Sequence, residues 1–266
     1  MAHEVKDAEG LLLSERRGAI VTLCLNRPQE LNALSQALLL ELDTALEVLA
    51  ADAELRCVIL SGSGRAFCAG HDLLEMQALS TAQAARELFD LCSRVMQRIR
   101  ALPVPVIARV QGVATAAGCQ LVGTCDLAIA ADTARFAVSG INVGLFCATP
   151  AVALTRNIAT KRAFDLLVTG RFIDAPTACE YGLINEVVPE SELDAALARK
   201  AGEIASKSRE ALRHGKALFY RQQGLDLAAA YAEAATVMAR NLMESDAASG
   251  IESFLARRSA SSGNRS

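Results

Sequence analysis

Between residues 19 and 130 the chain alternates short apolar, β-branched runs with stretches of helical period, and this alternation limits the fold more than any other feature. Ala19–Leu25 reads as a strand and stops at Asn26-Arg27-Pro28, where proline ends sheet pairing. Ser35 is placed to cap a helix whose Leu38, Leu42, Leu46 and Leu49 recur on one face. Cys57–Leu60 is a continuous apolar run, as expected of a strand covered on both faces. From residue 82 to 101, Leu88, Cys92, Val95 and Ile99 follow a second helical stripe that Leu102 continues, before Pro103 and Pro105 break it. Val106–Val110 and Asp126–Ala130 are the next strands. Strands that alternate with helices in this way predict an α/β fold with a mainly parallel sheet and crossover helices.

After residue 148 helical signals dominate. Thr149-Pro150 is a helix start, with proline in the first turn where its missing N–H costs nothing. Ser191 and Asp194 have the spacing of a capping box ahead of Leu193, Leu197 and Ile204. Leu227, Tyr231, Met238 and Leu242 form a stripe that serves either core packing or a contact between subunits. The polar end from Ser259 to Ser266 is expected to lack structure. With no repeat or long linker, residues 1–200 are expected to form the core domain and 201–266 a helical appendage on it.

Composition bounds function. Apolar residues at 52% and charged residues at 21% exclude a disordered or fibrous chain. A formal net charge of −3 offers no basic field for nucleic-acid phosphates. The eight cysteines form no CxxC pair and sit mostly in apolar runs, which fits reduced thiols. The three histidines share no metal-ligand spacing with them, so no metal is expected. The N-terminus is polar and acidic, without the features of a signal or transit peptide, and no run is long and apolar enough for a membrane. A cytoplasmic location is the resulting expectation.

Two glycine-containing loops carry the chemical signal. Gly64–Leu73 and Gly112–Leu121 each follow a strand with small residues, where main chain can approach a ligand closely, and the second opens a helix. Amides at a helix start point outward unpaired, aided by the helix dipole. Neither loop carries a nucleotide fingerprint of the GxGxxG or GxxxxGK[ST] kind. Taken alone, they are equally tight turns or a pair of amides aimed at one oxygen.

The run Ala66-Phe67-Cys68-Ala69-Gly70-His71-Asp72-Leu73, followed by Gly112–Leu121 and Cys125-Asp126, resembles the crotonase superfamily, the enoyl-CoA hydratase/isomerase family. Asn26–Leu34, Phe136–Gly144 and Tyr181–Pro189 match its other blocks, so the resemblance covers nearly the whole chain. It implies a spiral of repeated β/β/α turns with a C-terminal helical trimerisation region, assembled as a trimer or a dimer of trimers. It also implies an acyl-CoA ligand and no cofactor beyond the CoA carried by the substrate. The family's oxyanion hole, two N–H groups on the thioester oxygen, falls on His71 and Ala117. Its ligand contacts fall on Arg27, Leu31, Ala69, His71, Asp72, Leu73, Leu74, Ala117 and Gly118. Arg257 and Arg258 match a basic spot near the nucleotide end of CoA.

The chain departs from the family at its two catalytic glutamates, whose positions are held by Gln120 and Gly140. Hydration needs groups that deprotonate water and protonate the α-carbon, each contributing roughly 10²–10⁴ in rate. An amide orients water without exchanging a proton, and glycine brings no side chain. Little hydratase activity is therefore expected, with partial recovery on restoring both glutamates. Thioester binding is expected to survive. The decarboxylase branch has a similar Ala-Gly-His-Asp run, although its active-site tyrosine aligns near Cys147. The His71 side chain is a spacer or a participant. Cys147 is packing or faces the acyl group, and Asp72 or Glu75 is an alternative base. Asp126 is expected to order backbone near its strand. Three readings follow: an isomerase, hydrolase or decarboxylase working from the oxyanion hole; a non-catalytic acyl-CoA-binding protein; and RNA binding, known in one branch, against which the pI near 5.7 argues.

Overall fold

The computed structural model describes residues 10–262. In chain order its elements are β1 (Leu12–Arg17), β2 (Ile20–Leu25), α1 (Gln36–Ala50), β3 (Cys57–Gly62), β4 (Ala66–Cys68), α2 (Leu73–Ala78), α3 (Ala82–Ala101), β5 (Val106–Val110), β6 (Val113–Thr115), α4 (Ala117–Thr124), β7 (Leu127–Ala131) and β8 (Arg135–Ala137). Then follow α5 (Ala148–Leu154), α6 (Thr160–Thr169), β9 (Ile173–Asp174), α7 (Ala175–Tyr181), β10 (Glu186–Val188), α8 (Leu193–Ala205), α9 (Arg209–Gln222), α10 (Leu227–Leu242) and α11 (Ser245–Ser262). No described helix is long and apolar enough to cross a membrane.

Strands β3, β5 and β7 lie in a six-stranded sheet ordered β1-β2-β3-β5-β7-β10. The strand after each of them, β4, β6 and β8, lies in a second sheet ordered β4-β6-β8-β9. Helices α3, α4 and α5 return the chain for the next turn, giving the expected spiral of β/β/α turns. Pairing is parallel except at β1–β2 and β8–β9.

The large sheet is covered on both faces. Along β3, Val58 and Leu60 join the main core with Leu38, Leu42 and Leu46 of α1 and Leu88, Cys92, Val95 and Ile99 of α3. Cys57 points the other way, toward Leu193, Ala196 and Leu197 of α8. Each leucine so buried contributes about 1.5–3 kcal/mol over leaving it exposed. The helix stripes are therefore what fix α1 and α3. Ser35 Oγ accepts from Leu38 N at 3.2 Å, which starts α1 where expected.

In the C-terminal third three expectations differ from the structure and one open choice, that of the α10 stripe, is narrowed. Residue 200 falls inside α8, whose inner face belongs to the core. The capping box at Ser191 is not formed, because Ser191 lies within a 3-10 turn (Glu190–Glu192) and Asp194 pairs with Arg109 at 2.7 Å. The stripe on α10 is not core within this chain: Leu227 is 75% exposed and Met238 69%. Helix α11 continues to Ser262 where an unstructured end was expected. The expectations for residues 1–9, for residues 263–266 and for the Arg258 side chain fall outside the described residues.

Helix α9 has no fully buried residue and is held by polar contacts instead. Lys216 Nζ reaches Asp126 Oδ2 at 2.6 Å and the carbonyls of Ile99 and Val104 at 2.9 Å. Tyr220 donates to Asp126 Oδ1 at 2.6 Å, and Arg100 stacks 3.8 Å over the Tyr220 ring. Asp126 also accepts Val106 N at 2.7 Å, which is the backbone role the sequence suggested.

Candidate functional site

The two glycine loops meet. Gly70 has φ +96°, and a methyl group placed on it would sit 2.9 Å from Ala116 Cβ and 3.2 Å from Ala117 N. A Cβ on Gly118 would fall on the carbonyl oxygen of Cys68. Only hydrogen fits at either position, which is how two stretches of main chain come this close. Ala116 takes φ 50°, an uncommon conformation for a residue with a side chain, and turns β6 directly into α4. Ala117 is the first residue of that helix, where an N–H has no partner within the helix. Leu34 N donates to Gly70 O at 2.7 Å and Asp72 N to Leu34 O at 3.3 Å, so the bridge beside His71 leaves the His71 N–H out of its pairing. Among the described residues neither the His71 nor the Ala117 N–H donates to a loop or turn carbonyl.

Both residues line one cavity of about 270 Å³, together with Ala69, Leu73 and Gly140. Its remaining wall is largely apolar and includes Met76, Phe89 and Phe146. The His71 ring stands edge-on to Phe89, with centroids 5.4 Å apart, and both ring nitrogens are buried without a partner. Burial pushes this imidazole down to about 4, outweighing the raising influence of the nearby Leu34 main chain, which is not close and aligned enough to pair with either ring nitrogen. Neutral above that pH, it can both donate and accept one hydrogen bond in the cavity. An NMR titration of the folded protein is expected to place the His71 midpoint near 4. The unfolded chain binds this proton more readily, so His71 costs stability as pH falls from its ordinary value of 6.5 through 4. A midpoint near the ordinary value contradicts the buried ring. Cys147 lies in the same wall, and burial raises its thiol pKa against the lowering effect of a Gly140 backbone contact. It therefore stays protonated and is a poor nucleophile.

The other expected ligand contacts divide. Leu73, 61% exposed, lines the cavity where α2 opens, whereas Leu74, 79% exposed, is not among the lining residues. Arg27 and Asp72 brace the first loop: Arg27 Nη2 meets Asp72 Oδ2 at 2.9 Å, and Arg27 Nη1 donates to Ala33 O at 2.7 Å. Burial alone would raise the Asp72 carboxyl, but Arg27 and the N–H groups of Glu75 and Leu74 hold it below the ordinary carboxylate range. Leu31 supports the loop through its carbonyl, which accepts Ala69 N at 3.0 Å. Gly118 is a packing contact. Glu75 accepts Gln36 N at 2.7 Å and so braces the start of α1.

Gln120 and Gly140 face different spaces. Gly140 lines the first cavity, but a Cβ there would lie 2.5 Å from Leu145 O and 2.8 Å from Cys147 Sγ. The expected recovery on adding glutamates is undercut at this position, because any side chain meets main chain first. Gln120 is 4% exposed, its Oε1 is buried without a partner, and it lines a second, larger cleft of about 860 Å³. Thr149 lines both spaces.

The second cleft lies among α3, α4, α5 and α9 and went unread in the sequence, because its walls come from segments far apart in the chain. The histidine spacing also missed a group formed across helices: His214, Glu210 and Glu244 bring ligand atoms within 4.8 Å of one another. Arg213 Nη2 contacts both Glu210 Oε2, at 2.5 Å, and His214 Nε2, at 3.0 Å, and supplies the positive charge there.

Comparison with known proteins bears on this site. The sequence profile described as Enoyl-CoA hydratase/isomerase matches residues 15–264. Enoyl-CoA hydratase domain-containing protein 3, mitochondrial, of Rattus norvegicus is 44% identical over 253 residues, covering 95% of this chain and 84% of that protein. A crystal structure of an enoyl-CoA hydratase from Mycobacterium smegmatis superposes with a TM-score of 0.93 at 53% identity, covering 94% of this chain and 97% of that one. The human domain-containing protein 3 gives a TM-score of 0.91 at 43% identity, covering 93% and 98%. The rat protein and its counterparts from Mus musculus, Xenopus laevis, Homo sapiens and Danio rerio are all named as mitochondrial, which overturns the cytoplasmic expectation. Compartment is set by an address segment, and the charge and thiol content of a folded domain do not reveal it.

Proposed function

Since this chain belongs to the enoyl-CoA hydratase/isomerase family, we propose that its 270 Å³ cavity receives the acyl group of a CoA thioester, whose carbonyl oxygen is held by the N–H groups of His71 and Ala117. The observation that carries this reading is the contact of the two loops at Gly70 and Gly118, which brings two otherwise unused amides to one apolar wall. Donors of this kind act strongly where water is excluded, each worth roughly 10²–10³ in rate. The family's two-glutamate hydration is not the reaction here, because position 140 has neither a side chain nor room for one and position 120 carries an amide. CoA arrives with the substrate, and no other cofactor is invoked.

The test is Ala117→Pro. Proline is tolerated in the first turn of a helix and puts a ring carbon where the Ala117 N–H stood, so the donor is lost and the space in front of it is filled. Affinity for a CoA thioester, measured by calorimetry on a variant whose melting curve shows it folded, is expected to fall at least about tenfold, the worth of a hydrogen bond of about 1.5 kcal/mol. Unchanged affinity removes Ala117 from the site.

The unpartnered His71 imidazole favours a second reading, in which the protein turns over a thioester without the glutamates. With the carbonyl oxygen held, an enolate is stabilised, and a neutral imidazole in the same wall is placed to move a proton as an isomerase or decarboxylase requires. A thioester panel that is bound but never turned over leaves the non-catalytic binding reading instead.

The exposed stripe of Leu227, Tyr231, Met238 and Leu242 on α10 supports assembly of copies of this chain into a trimer or a dimer of trimers. Sedimentation as a monomer at micromolar concentration rules that out.

A further inference from the structure

The second cleft has a chemical character of its own. Three arginines line it, Arg100, Arg156 and Arg221, and among the described residues no aspartate or glutamate does, although the whole chain is acidic. Arg221 is paired with Glu233, outside the cleft lining. Arg100 is held by stacking on Tyr220, and Arg156 by donating from Nη1 to Val152 O at 2.8 Å. Neither contact neutralises a charge. At the inner wall Gln120 is nine-tenths buried or more, with its carboxamide oxygen unpartnered. A buried polar atom left in that state costs about 1–3 kcal/mol, and a carboxamide turned about its last bond offers two N–H donors in the same place. Thr149 stands in the wall of both spaces, so the cleft adjoins the apolar cavity.

We propose that the acyl chain runs from the carbonyl end in the first cavity past Thr149 into the second cleft, and that a carboxylate at its far end is received there by Arg100, Arg156 and the Gln120 carboxamide. The substrate class is then the CoA thioester of a dicarboxylic acid. This rests on the thioester reading above and deepens it. An alkyl terminus gains nothing from guanidinium groups and leaves the Gln120 amide unsatisfied. A carboxylate satisfies the amide and is matched by the guanidinium charges of Arg100 and Arg156 on the cleft lining.

The experiment is calorimetric titration of the full chain with two series of CoA thioesters matched in chain length from four to eight carbons, one ending in methyl and one in carboxylate. At one or more lengths the carboxylate-ended thioester is expected to bind at least about tenfold tighter than its methyl-ended match, the worth of a charge-assisted hydrogen bond of 1.4 kcal/mol or more. In Arg100→Gln and in Arg156→Gln, each checked by its melting curve, that ratio is expected to fall at least about fivefold. Equal binding of the two series at every length overturns this inference and leaves the thioester site standing. A preference that persists in both variants also overturns it, since the carboxylate is then read elsewhere. Failure of both series to bind removes the thioester reading itself.

Discussion

Crotonyl-CoA hydration by this protein is expected to run at least about 10³-fold slower than in a relative carrying both glutamates, followed as loss of the conjugated enoyl absorbance. Two acid/base groups are involved, and each is worth roughly 10²–10⁴. The amide at Gln120 has no proton to exchange near neutral pH, and Gly140 offers nothing. The single His71 ring, held down to about 4, does not stand in for the two groups that hydration requires, one to deprotonate water and one to protonate the α-carbon. Adding the glutamates back is not expected to help. In Gln120→Glu with Gly140→Glu, the new Cβ at 140 meets Leu145 O at 2.5 Å, so the segment after β8 must shift before any carboxylate is placed. Wild-type turnover at the rate of a two-glutamate relative would falsify the assignment of both positions.

Lys216→Met is expected to lower stability by about 3–5 kcal/mol in urea unfolding. Lys216 and Asp126 are 7% and 12% exposed, and removing the cation leaves a carboxylate in low dielectric with only N–H and O–H donors. The carbonyls of Ile99 and Val104 lose their donor in the same step. Adding Asp126→Asn to this variant is expected to recover part of the loss, because the uncompensated charge goes with it. A loss below about 1 kcal/mol for the single change would show that α9 is held by something other than this pair.

The parts of the fold that were legible were those with a period. The stripes of α1 and α3 and the apolar runs of β2, β3, β5 and β7 stand out because burial on one or two faces writes itself into residue spacing. Strands β4, β6 and β8 have three residues each, too few for any period to show, so the second sheet was visible only through family resemblance. The capping box at Ser191 misled because the same residue types serve a 3-10 turn, and the fitting partner for Asp194 was Arg109, 85 residues away. Lys216 and Asp126 are 90 residues apart, and no local signal links them. At the site, the glycines marked where main chain comes close, but the sequence did not say what a side chain at 140 would strike. That the Gln120 carboxamide oxygen is buried without a partner, beside a cleft, depends on tertiary packing that no local pattern reports.

The crossing of main chain at Gly70 and Gly118 has a further implication for redesign. Its spacing is set where no side chain intervenes, so the anchor proposed for a thioester oxygen is insulated from mutation elsewhere in the pocket. If the proposed site holds, the side chains of His71 and Cys147 around it can be exchanged to install new reactivity without re-engineering that grip, while a single added carbon at either crossing point pushes the two stretches of main chain apart and leaves every reactive side chain in place.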